Sequence, residues 1–277
     1  DWFGESFKLE VLNVHPNNPF IKVINDKYIV GKSSKEKENF DALTFVSRDI
    51  ENFTIPNFIE IIGSFSFENA DKLRTIEIPE DTQLRIIEEN AFNGSSIEHI
   101  TIPPTVVELK SGCFNGLTQL KTINVNQKNT FYKSIDDKMI VCKSSQNEAN
   151  FDALFFSNND GEKVTIPSYI KQICPFVFMK ATKVKKIEFP SDSELQVIGK
   201  FSFSESSIEI FTFPPHLTQI CEYSFYRCKK LREIEIKRDS KISIIGKGAF
   251  KETLIEKLGI NENEAELLNV YRSLSFR

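Results

Sequence analysis

Apolar residues recur along the chain in one short motif. An apolar residue is followed by two others, then Ile, one other residue, Ile or Phe, and often Pro, as in Leu73-Arg-Thr-Ile76-Glu-Ile78-Pro79. Successive motifs begin 23 or 24 residues apart within each run. The motifs begin at Leu9, Leu73, Ile97, Leu120, Val184, Ile208, Leu231 and Ile255. Alternating apolar and other residues predict a strand in each motif, and connections of about 20 residues predict parallel neighbours.

A second motif lies between these strands. It pairs Ile with Gly or a similar residue and ends in Phe, which accounts for much of the count of 25 Phe. We expect the Gly at a tight corner with positive φ, and the segment before the Phe as a single helical or 3₁₀ turn. The rings should stack into an internal spine. Its members are Phe3, Phe67, Phe92, Phe114, Phe178, Phe203, Phe225 and Phe250.

A longer period of 111 residues is superimposed on the short one. Between Asn18–Pro56 and Asn129–Pro167, 22 of 39 positions are identical. A single repeat cannot bury its apolar side alone, whereas stacked repeats can. The sequence therefore predicts one continuous domain over residues 1–277, a leucine-rich-repeat solenoid of the α/β horseshoe class that is dominated by strands and has a parallel sheet.

Two extended repeats, near residues 15–53 and 126–164, break the short period. Each takes 41 residues from one strand end to the next. The first contains two strand-like runs, Tyr28–Val30 and Leu43–Phe45, separated by a polar stretch, and the second contains their equivalents. We interpret each as a β-hairpin extension built on one repeat.

The two ends of the chain differ from the repeats. Residues 261–277 carry a capping-box pattern followed by apolar residues at helical spacing, which predicts a C-terminal capping helix. The sequence begins with Asp1 rather than Met and has no secretory apolar run, so we expect a fragment or processed form. An uncapped first repeat at Trp2 and Phe3 would favour an end-to-end homodimer.

The repeat motifs resemble those of the BspA-like leucine-rich-repeat surface proteins, also called the Treponema pallidum type. The resemblance rests on the pattern L-x-x-I-x-I-P, then I-G, then A-F or S-F, with an occasional Cys as in Phe225-Tyr-Arg-Cys228. It covers nearly the whole chain. It implies a right-handed curved solenoid, display at the cell surface or secretion, and adhesion to host cells or to extracellular-matrix proteins.

The residues that flank the central Ile of each strand are the candidate partner-binding positions, because leucine-rich repeats turn these residues outward on the concave face. This mixed polar face suits a protein or a glycan better than an enclosed small molecule. The alternative is that these are simply solvated strand residues. The candidates are Thr75, Glu77, His99, Thr101, Thr122, Asn124, Lys186, Glu188, Ile210, Thr212, Glu233 and Glu235.

The remaining side chains suggest no chemistry. The three His are never at metal-ligand spacing, and the five Cys lack a CxxC or paired framework. Gly31-Lys-Ser33 lacks the upstream Gly of a phosphate-binding loop, since Asp26 stands there. A net charge of −4 argues against nucleic acid, and no stretch is long and apolar enough to insert in a membrane. We expect no cofactor, no metal and no enzymatic activity.

Two functional hypotheses follow from a repeat array that has no recognisable set of catalytic residues. The first is a surface recognition or adhesion protein, a surface antigen acting in host–parasite interaction, which binds a protein or glycan through the concave sheet. The second is an intracellular leucine-rich-repeat scaffold for protein–protein interaction, which unpaired thiols favour slightly.

Overall fold

The computed structural model describes residues 14–236, 241–255 and 257–260, with the side chains of 257–260 left aside. The chain divides into two compact units, unit 1 over residues 1–140 and unit 2 over residues 141–277. The predicted capping helix at 261–277 and the first repeat around Trp2 and Phe3 lie outside the described residues.

Unit 1 contains two sheets on opposite sides of its repeats. One sheet, of three- and four-residue strands, has the order β10-β8-β6-β4, and we call it the long-strand sheet. The other has the order β1-β2-β3-β5-β7-β9, and we call it the short-strand sheet because its repeating strands β5, β7 and β9 have two residues each. The strands are β1 (Ile21–Ile24), β2 (Tyr28–Gly31), β3 (Ala42–Val46), β4 (Asn52–Thr54), β5 (Ile61–Ile62), β6 (Thr75–Glu77), β7 (Ile86–Ile87), β8 (His99–Ile102), β9 (Glu108–Leu109), β10 (Thr122–Val125) and β11 (Tyr132–Ile135). The boundary between the units falls within β12 (Met139–Cys142).

Unit 2 repeats this plan. Its long-strand sheet has the order β14-β16-β18-β20-β22, and its short-strand sheet continues from β13 as β15-β17-β19-β21. The strands are β13 (Ala153–Ser157), β14 (Lys163–Thr165), β15 (Gln172–Ile173), β16 (Lys186–Glu188), β17 (Val197–Ile198), β18 (Ile210–Thr212), β19 (Gln219–Ile220), β20 (Glu233–Ile236), β21 (Ile244–Ile245) and β22 (Lys257–Ile260). Each unit is thus a strand-dominated solenoid with parallel sheets, as predicted.

The strand register confirms the spacing that the sequence predicts. In the long-strand sheets Thr75 pairs with His99, and Ile210 pairs with Glu233, in parallel. The central residue of each long strand, such as Ile100 or Ile234, is almost fully buried, while its two neighbours face away from the core. Each repeat therefore adds one apolar layer to a continuous core, in the nearest-neighbour manner of repeat proteins.

The predicted phenylalanine spine is confirmed in every described member. In unit 1 the rings of Phe67 and Phe92 stack with centroids 5.0 Å apart, and Phe92 and Phe114 stack at 5.7 Å. In unit 2 Phe203 stacks between Phe178 and Phe225, at 4.9 and 5.0 Å. These rings are essentially inaccessible to solvent. Phe3 lies outside the described residues. One stacked ring per repeat gives each unit a second apolar column beside the isoleucines.

The prediction of a helical or 3₁₀ turn before each spine Phe is wrong, and the described residues contain no helix. The segment consists of two successive turns with a positive-φ residue in each, four positions apart. In one repeat these residues are Phe201 (φ 55°) and Glu205 (φ 59°). Between them, the N–H of Phe203 donates to the carbonyl of Ser224 in the next repeat, at 2.7 Å. Left-handed residues and inter-repeat hydrogen bonds are incompatible with a helical turn.

The glycines of the second motif serve close packing rather than positive φ. Gly63, Gly199 and Gly246 are absent from the positive-φ residues. A Cβ on Gly199 would lie 2.6 Å from the carbonyl oxygen of Ile173, and one on Gly246 would lie 2.4 Å from the backbone nitrogen of Glu222. At these positions the preceding repeat approaches the backbone directly, so a side chain would require the neighbouring backbone to shift. The residue before each of them belongs to a short strand that sequence reasoning had taken for a corner.

The first extended repeat is a three-stranded antiparallel meander joined to the parallel stack. β1 pairs with β2 and β2 with β3 in antiparallel fashion, and β3 then pairs in parallel with β5. The runs Tyr28–Val30 and Leu43–Phe45 form β2 and β3, and β1 is an additional strand. Asn25 and Asp26 both have positive φ (49° and 54°) in the β1–β2 connection, which is the type I′ geometry that matches strand twist.

Candidate recognition surface

The long-strand sheet of unit 1 presents two columns of outward side chains. One column aligns Asn52, Thr75, His99 and Thr122 through consecutive parallel pairings. The other contains Thr54 beside Glu77, and Thr101 beside Asn124. Neighbouring side chains in such a column are separated by about 4.8 Å, the spacing of hydrogen-bonded strands. All six candidates that the sequence placed in this part of the chain therefore lie on one face.

Side chains in the unit 1 columns hydrogen-bond mainly to one another. Nδ1 of His99 lies 2.8 Å from Oγ1 of Thr122, the hydroxyl of Thr75 donates to Oδ1 of Asn52, and the hydroxyl of Thr54 donates to Glu77 at 3.2 Å. Glu77 is the only full charge among the described residues of these two columns. Unit 1 therefore offers a nearly neutral face of hydroxyl, amide and imidazole groups.

The equivalent face of unit 2 is charged. One column aligns Lys163, Lys186, Ile210 and Glu233, and the other contains Glu188 beside Thr165, and Glu235 beside Thr212. All six remaining candidates lie on this face. Each is the counterpart, 111 residues on, of a candidate in unit 1, so the register is retained while the chemistry changes.

A compact ion-pair group occupies one end of the unit 2 face. The carboxylate of Glu188 lies 2.7 Å from Nζ of Lys163 and 3.4 Å from Nζ of Lys186. The hydrogen bond from Lys163 is the main cause that lowers the pKa of Glu188. Further along, Ile210 is an exposed large apolar side chain, 38% accessible, and the hydroxyl of Thr212 donates to Glu235 at 2.6 Å. The lysines of the ion-pair group and the carboxylate of Glu235 thus lie on either side of the apolar side chain of Ile210.

An open groove of about 560 Å³ lies beside the meander of unit 1, where Phe40 and Phe58 meet Lys22 and Lys37, and none of the outward column residues lines it. Over the described ranges, no three His, Cys, Asp or Glu side chains are grouped to hold a metal ion, and no helix has the length and apolarity needed to cross a membrane. The faces are suited to contact a surface of another molecule.

The sequence-based candidate list omits the outward residues of one repeat on each face, although the ends of both repeats are recognisable in the sequence. Asn52 and Thr54 of β4 extend the unit 1 columns, and Lys163 and Thr165 of β14 extend those of unit 2. The signal was available, because Ile55-Pro56 and Ile166-Pro167 end both strands as in the other motifs. The usual apolar residue three positions before the central one is Ile50 in the first case but Gly161 in the second, which obscured the motif.

Comparison with known proteins places this repeat array in a family. A model of the BspA type leucine rich repeat region matches residues 38–153 and 149–271, with six copies. The chain belongs to the BspA type leucine-rich-repeat family. No curated protein matches the sequence.

Solved structures of bacterial leucine-rich-repeat proteins share the fold of this family member. The pneumococcal vaccine antigen PcpA matches at a TM-score of 0.65 and 24% identity over 81% of this chain and 55% of its own. A leucine-rich cell surface protein of Faecalibacterium prausnitzii matches at 0.53 and 20% identity over 77% and 64%. A leucine-rich repeat protein of Bacteroides ovatus matches at 0.50 and 20% identity over 90% and 65%. The chain spans less than two thirds of the length of each.

Proposed function

We propose that this BspA type protein is a non-catalytic recognition and adhesion protein that binds a protein or glycan partner through its long-strand faces. The observation that carries the proposal is the alignment of outward side chains in register across each unit. The family and its surface-protein neighbours support a role in binding. A host-cell or extracellular-matrix molecule is the partner class that fits a surface location.

We assign the larger share of binding energy to the unit 2 face. Ile210 can bury apolar surface against a partner at about 25 cal/mol per Å², and Lys186 and Glu235 near it can pair with opposite charges. Interfaces concentrate their energy at a few residues surrounded by polar ones. The unit 1 face has no comparable exposed apolar side chain on its columns, so it contributes complementary polar contacts.

The location of the protein is tested by antibody labelling of intact and permeabilised source cells. Label on intact cells is the expected result, because a partner outside the cell is reached only from the surface. Label that appears only after permeabilisation would contradict the adhesion proposal and favour the scaffold alternative. That alternative has one observation of its own, the five free cysteines of the structure, which suit a reducing compartment.

The binding face is tested by paired variants on immobilised matrix proteins and glycans. We expect K186E/I210D to weaken binding of whichever probe captures the wild-type protein by tenfold or more, the usual effect of removing an interface centre. The matched control is T75E/H99D, which changes the equivalent positions of unit 1 and should weaken binding less than threefold. Equal loss in both variants would contradict the assignment to unit 2, and no loss in either would remove the strand faces from the proposal.

A further inference from the structure

The exposed aromatic side chains of the described residues recur with the 111-residue period. They form two pairs, Phe20 with Phe131 (55% and 47% exposed) and Phe58 with Tyr169 (41% and 46% exposed). The residues beside Phe58 change between the copies, as where Glu60 is replaced by Lys171. An exposed ring contributes little to the core, because it keeps much of its contact with water. Its retention among changing neighbours therefore indicates a role at the surface.

The ring of Phe58 lines the open groove beside the meander of unit 1, together with the half-buried ring of Phe40. Ile24 and Val30 complete the apolar part of the groove. Its volume of about 560 Å³ is within the range of small-ligand sites, about 300–1,000 Å³. The two rings therefore border a space that one ligand can fill.

A cation accompanies the ring of Phe40 in both copies. Nζ of Lys32 lies 5.7 Å from the centroid of this ring, and Nζ of Lys143 lies 5.9 Å from that of the counterpart, Phe151. Lys32 is not among the residues that line the groove. The cation therefore helps to fix the ring without occupying the space beside it.

Most charged side chains of the groove pair with one another. Nζ of Lys37 donates to both carboxylate oxygens of Glu60, at 2.8 and 2.9 Å, and lies 3.2 Å from the buried carboxylate of Asp41. The other two charged residues of the groove, Lys22 and Glu38, are exposed and opposite in sign. The groove therefore has little net charge with which to select an ionic ligand.

Two exposed side-chain amides also line the groove, those of Asn39 and Gln83. Each amide offers a donor and an acceptor side by side, which matches two neighbouring hydroxyl groups. A ligand that suits these features has an apolar face for the rings, hydroxyl groups for the amides and no charge. A pyranose sugar has this combination, because its C–H bonds form an apolar face and its hydroxyl groups project from the edge of the ring.

We propose that this groove binds a neutral oligosaccharide, with a pyranose ring packed on Phe58 and Phe40 and its hydroxyl groups bonded to Asn39 and Gln83. The outward residues of the long-strand faces do not line the groove. The groove is therefore a second recognition site, which is separate from the surface proposed above and can be tested independently of it.

The site is tested first by screening the full chain on a printed array of neutral cello-, malto-, manno-, galacto- and chito-oligosaccharides. The captured oligosaccharide is then titrated into ¹⁵N-labelled protein. We expect amide shifts concentrated in residues 37–41 and 57–60, the two loops that carry the rings of the groove. Amides of the long strands, such as those of His99 and Ile210, should not move.

Three results of this titration would overturn the proposal. The first is an array that captures no neutral oligosaccharide. The second is a set of shifts on the long strands instead of the two loops, which would support the proposed function and not this site. The third is a shift of the two loops with a tetra-arginine peptide and with no oligosaccharide, which would assign the groove to a protein partner.

Phe58→Ala should raise the oligosaccharide concentration needed for the loop shifts by about tenfold or more, because the ring supplies both apolar area and an aromatic face. The matched variant Phe58→Tyr installs the residue of the second copy and should stay within about threefold of the wild type. K186E/I210D changes only the unit 2 face and should bind the oligosaccharide as the wild type does. Unchanged affinity of Phe58→Ala would overturn the proposal.

Gln83→Ala gives a second measurement that leaves both rings in place. Loss of one amide partner should weaken binding by about threefold or more. Gln83 is exposed, so this variant should fold even if Phe58→Ala does not. Wild-type affinity in Gln83→Ala would contradict the assigned hydroxyl contacts.

Discussion

In unit 1, the buried carboxylate of Asp41 accepts hydrogen bonds from the N–H and the hydroxyl of Ser33, at 2.7 and 2.6 Å. In unit 2, Asp152 accepts the same two bonds from Ser144, at 2.8 and 3.0 Å. The two arrangements are equivalent by the 111-residue period. Each fixes the loop after the second meander strand to the start of the third.

The cation that accompanies the buried carboxylate comes from different places in the two units. Lys37 lies 3.2 Å from Asp41 and 2.8 Å from Glu60. The counterparts of Lys37 and Glu60 are Glu148 and Lys171, so the charges are exchanged.

In unit 2 it is Lys171 that reaches both Asp152 and Glu148, each at 3.5 Å. In both units the buried carboxylate is accompanied by one ammonium and one further carboxylate, and either position supplies the ammonium. Charge balance is retained while residue identity is not.

The largest effect is expected where the two units agree, in the phenylalanine spine. Phe203→Ala and its counterpart Phe92→Ala should each lower the free energy of unfolding by roughly 3–5 kcal/mol, the usual cost of truncating a buried ring. Phe203 should be at the upper end, because it also makes an edge contact with Phe211 at 5.3 Å, where unit 1 has Ile100. Denaturant unfolding measures both, and a change near zero for either variant would remove the spine from the stabilising core.

A smaller loss, roughly 1–3 kcal/mol, is expected for Asp41→Asn, which leaves the Ser33 donors poorly matched. Burial alone raises the pKa of Asp41, but the bonds from Ser33 and the ammonium of Lys37 outweigh it and lower the pKa. The folded pKa is therefore below the unfolded value near ~3.9. Its stabilisation is complete above that value and is lost as the pH falls through the folded pKa. Stability of the wild type and D41N should converge on acidification, and parallel pH curves would contradict this.

The exchanged ion pair permits a direct test of charge balance. K37E places three carboxylates together and should lower the free energy of unfolding, by more than the loss of an ordinary surface pair because Asp41 is buried. The double variant K37E/E60K reproduces the unit 2 arrangement and should return close to the stability of the wild type. Urea unfolding of K37E, E60K and the double variant completes the double-mutant cycle. Additive losses in the double variant would show that the two units hold their carboxylates by unrelated means.

The smallest effect is expected on the charged face. Lys163→Gln removes the closest cation from Glu188, whose pKa should rise toward its ordinary value, with Lys186 still 3.4 Å away. Because the pair is exposed, stability should change little. A carboxyl titration followed by NMR measures the shift, with the counterpart variant Asn52→Gln in unit 1 as a control that should leave Glu188 unaffected. An unchanged pKa of Glu188 would show that Lys163 does not pair with it in solution.

The sequence predicted those parts of the fold that depend on period alone. Ile76, Ile100 and Phe203 occupy the expected core positions because side-chain alternation and repeat spacing decide which residues face inward. The outward neighbours, such as Thr75 and Lys186, followed from the same alternation. Their role as a binding face stays a prediction.

Features that depend on contacts between repeats could not be predicted from one repeat. The turns with positive φ at Phe201 follow from hydrogen bonds to the next repeat, and an aromatic residue gives no local signal for that conformation. The two-residue strand Ile61–Ile62 is too short to show alternation.

Among the described strands, β1 forms the edge of the unit 1 short-strand sheet, and this position has a consequence for aggregation. An exposed sheet edge recruits strands of other molecules, and natural edges discourage this with short strands and lysines. β1 is four residues long, forms the edge of a hairpin and carries the exposed Lys22. A shortened chain that starts at residue 18 keeps this protection, whereas one that starts at residue 58 would leave Ile61 and Ile62 as the outermost strand. The second should self-associate, and the first should remain dispersed.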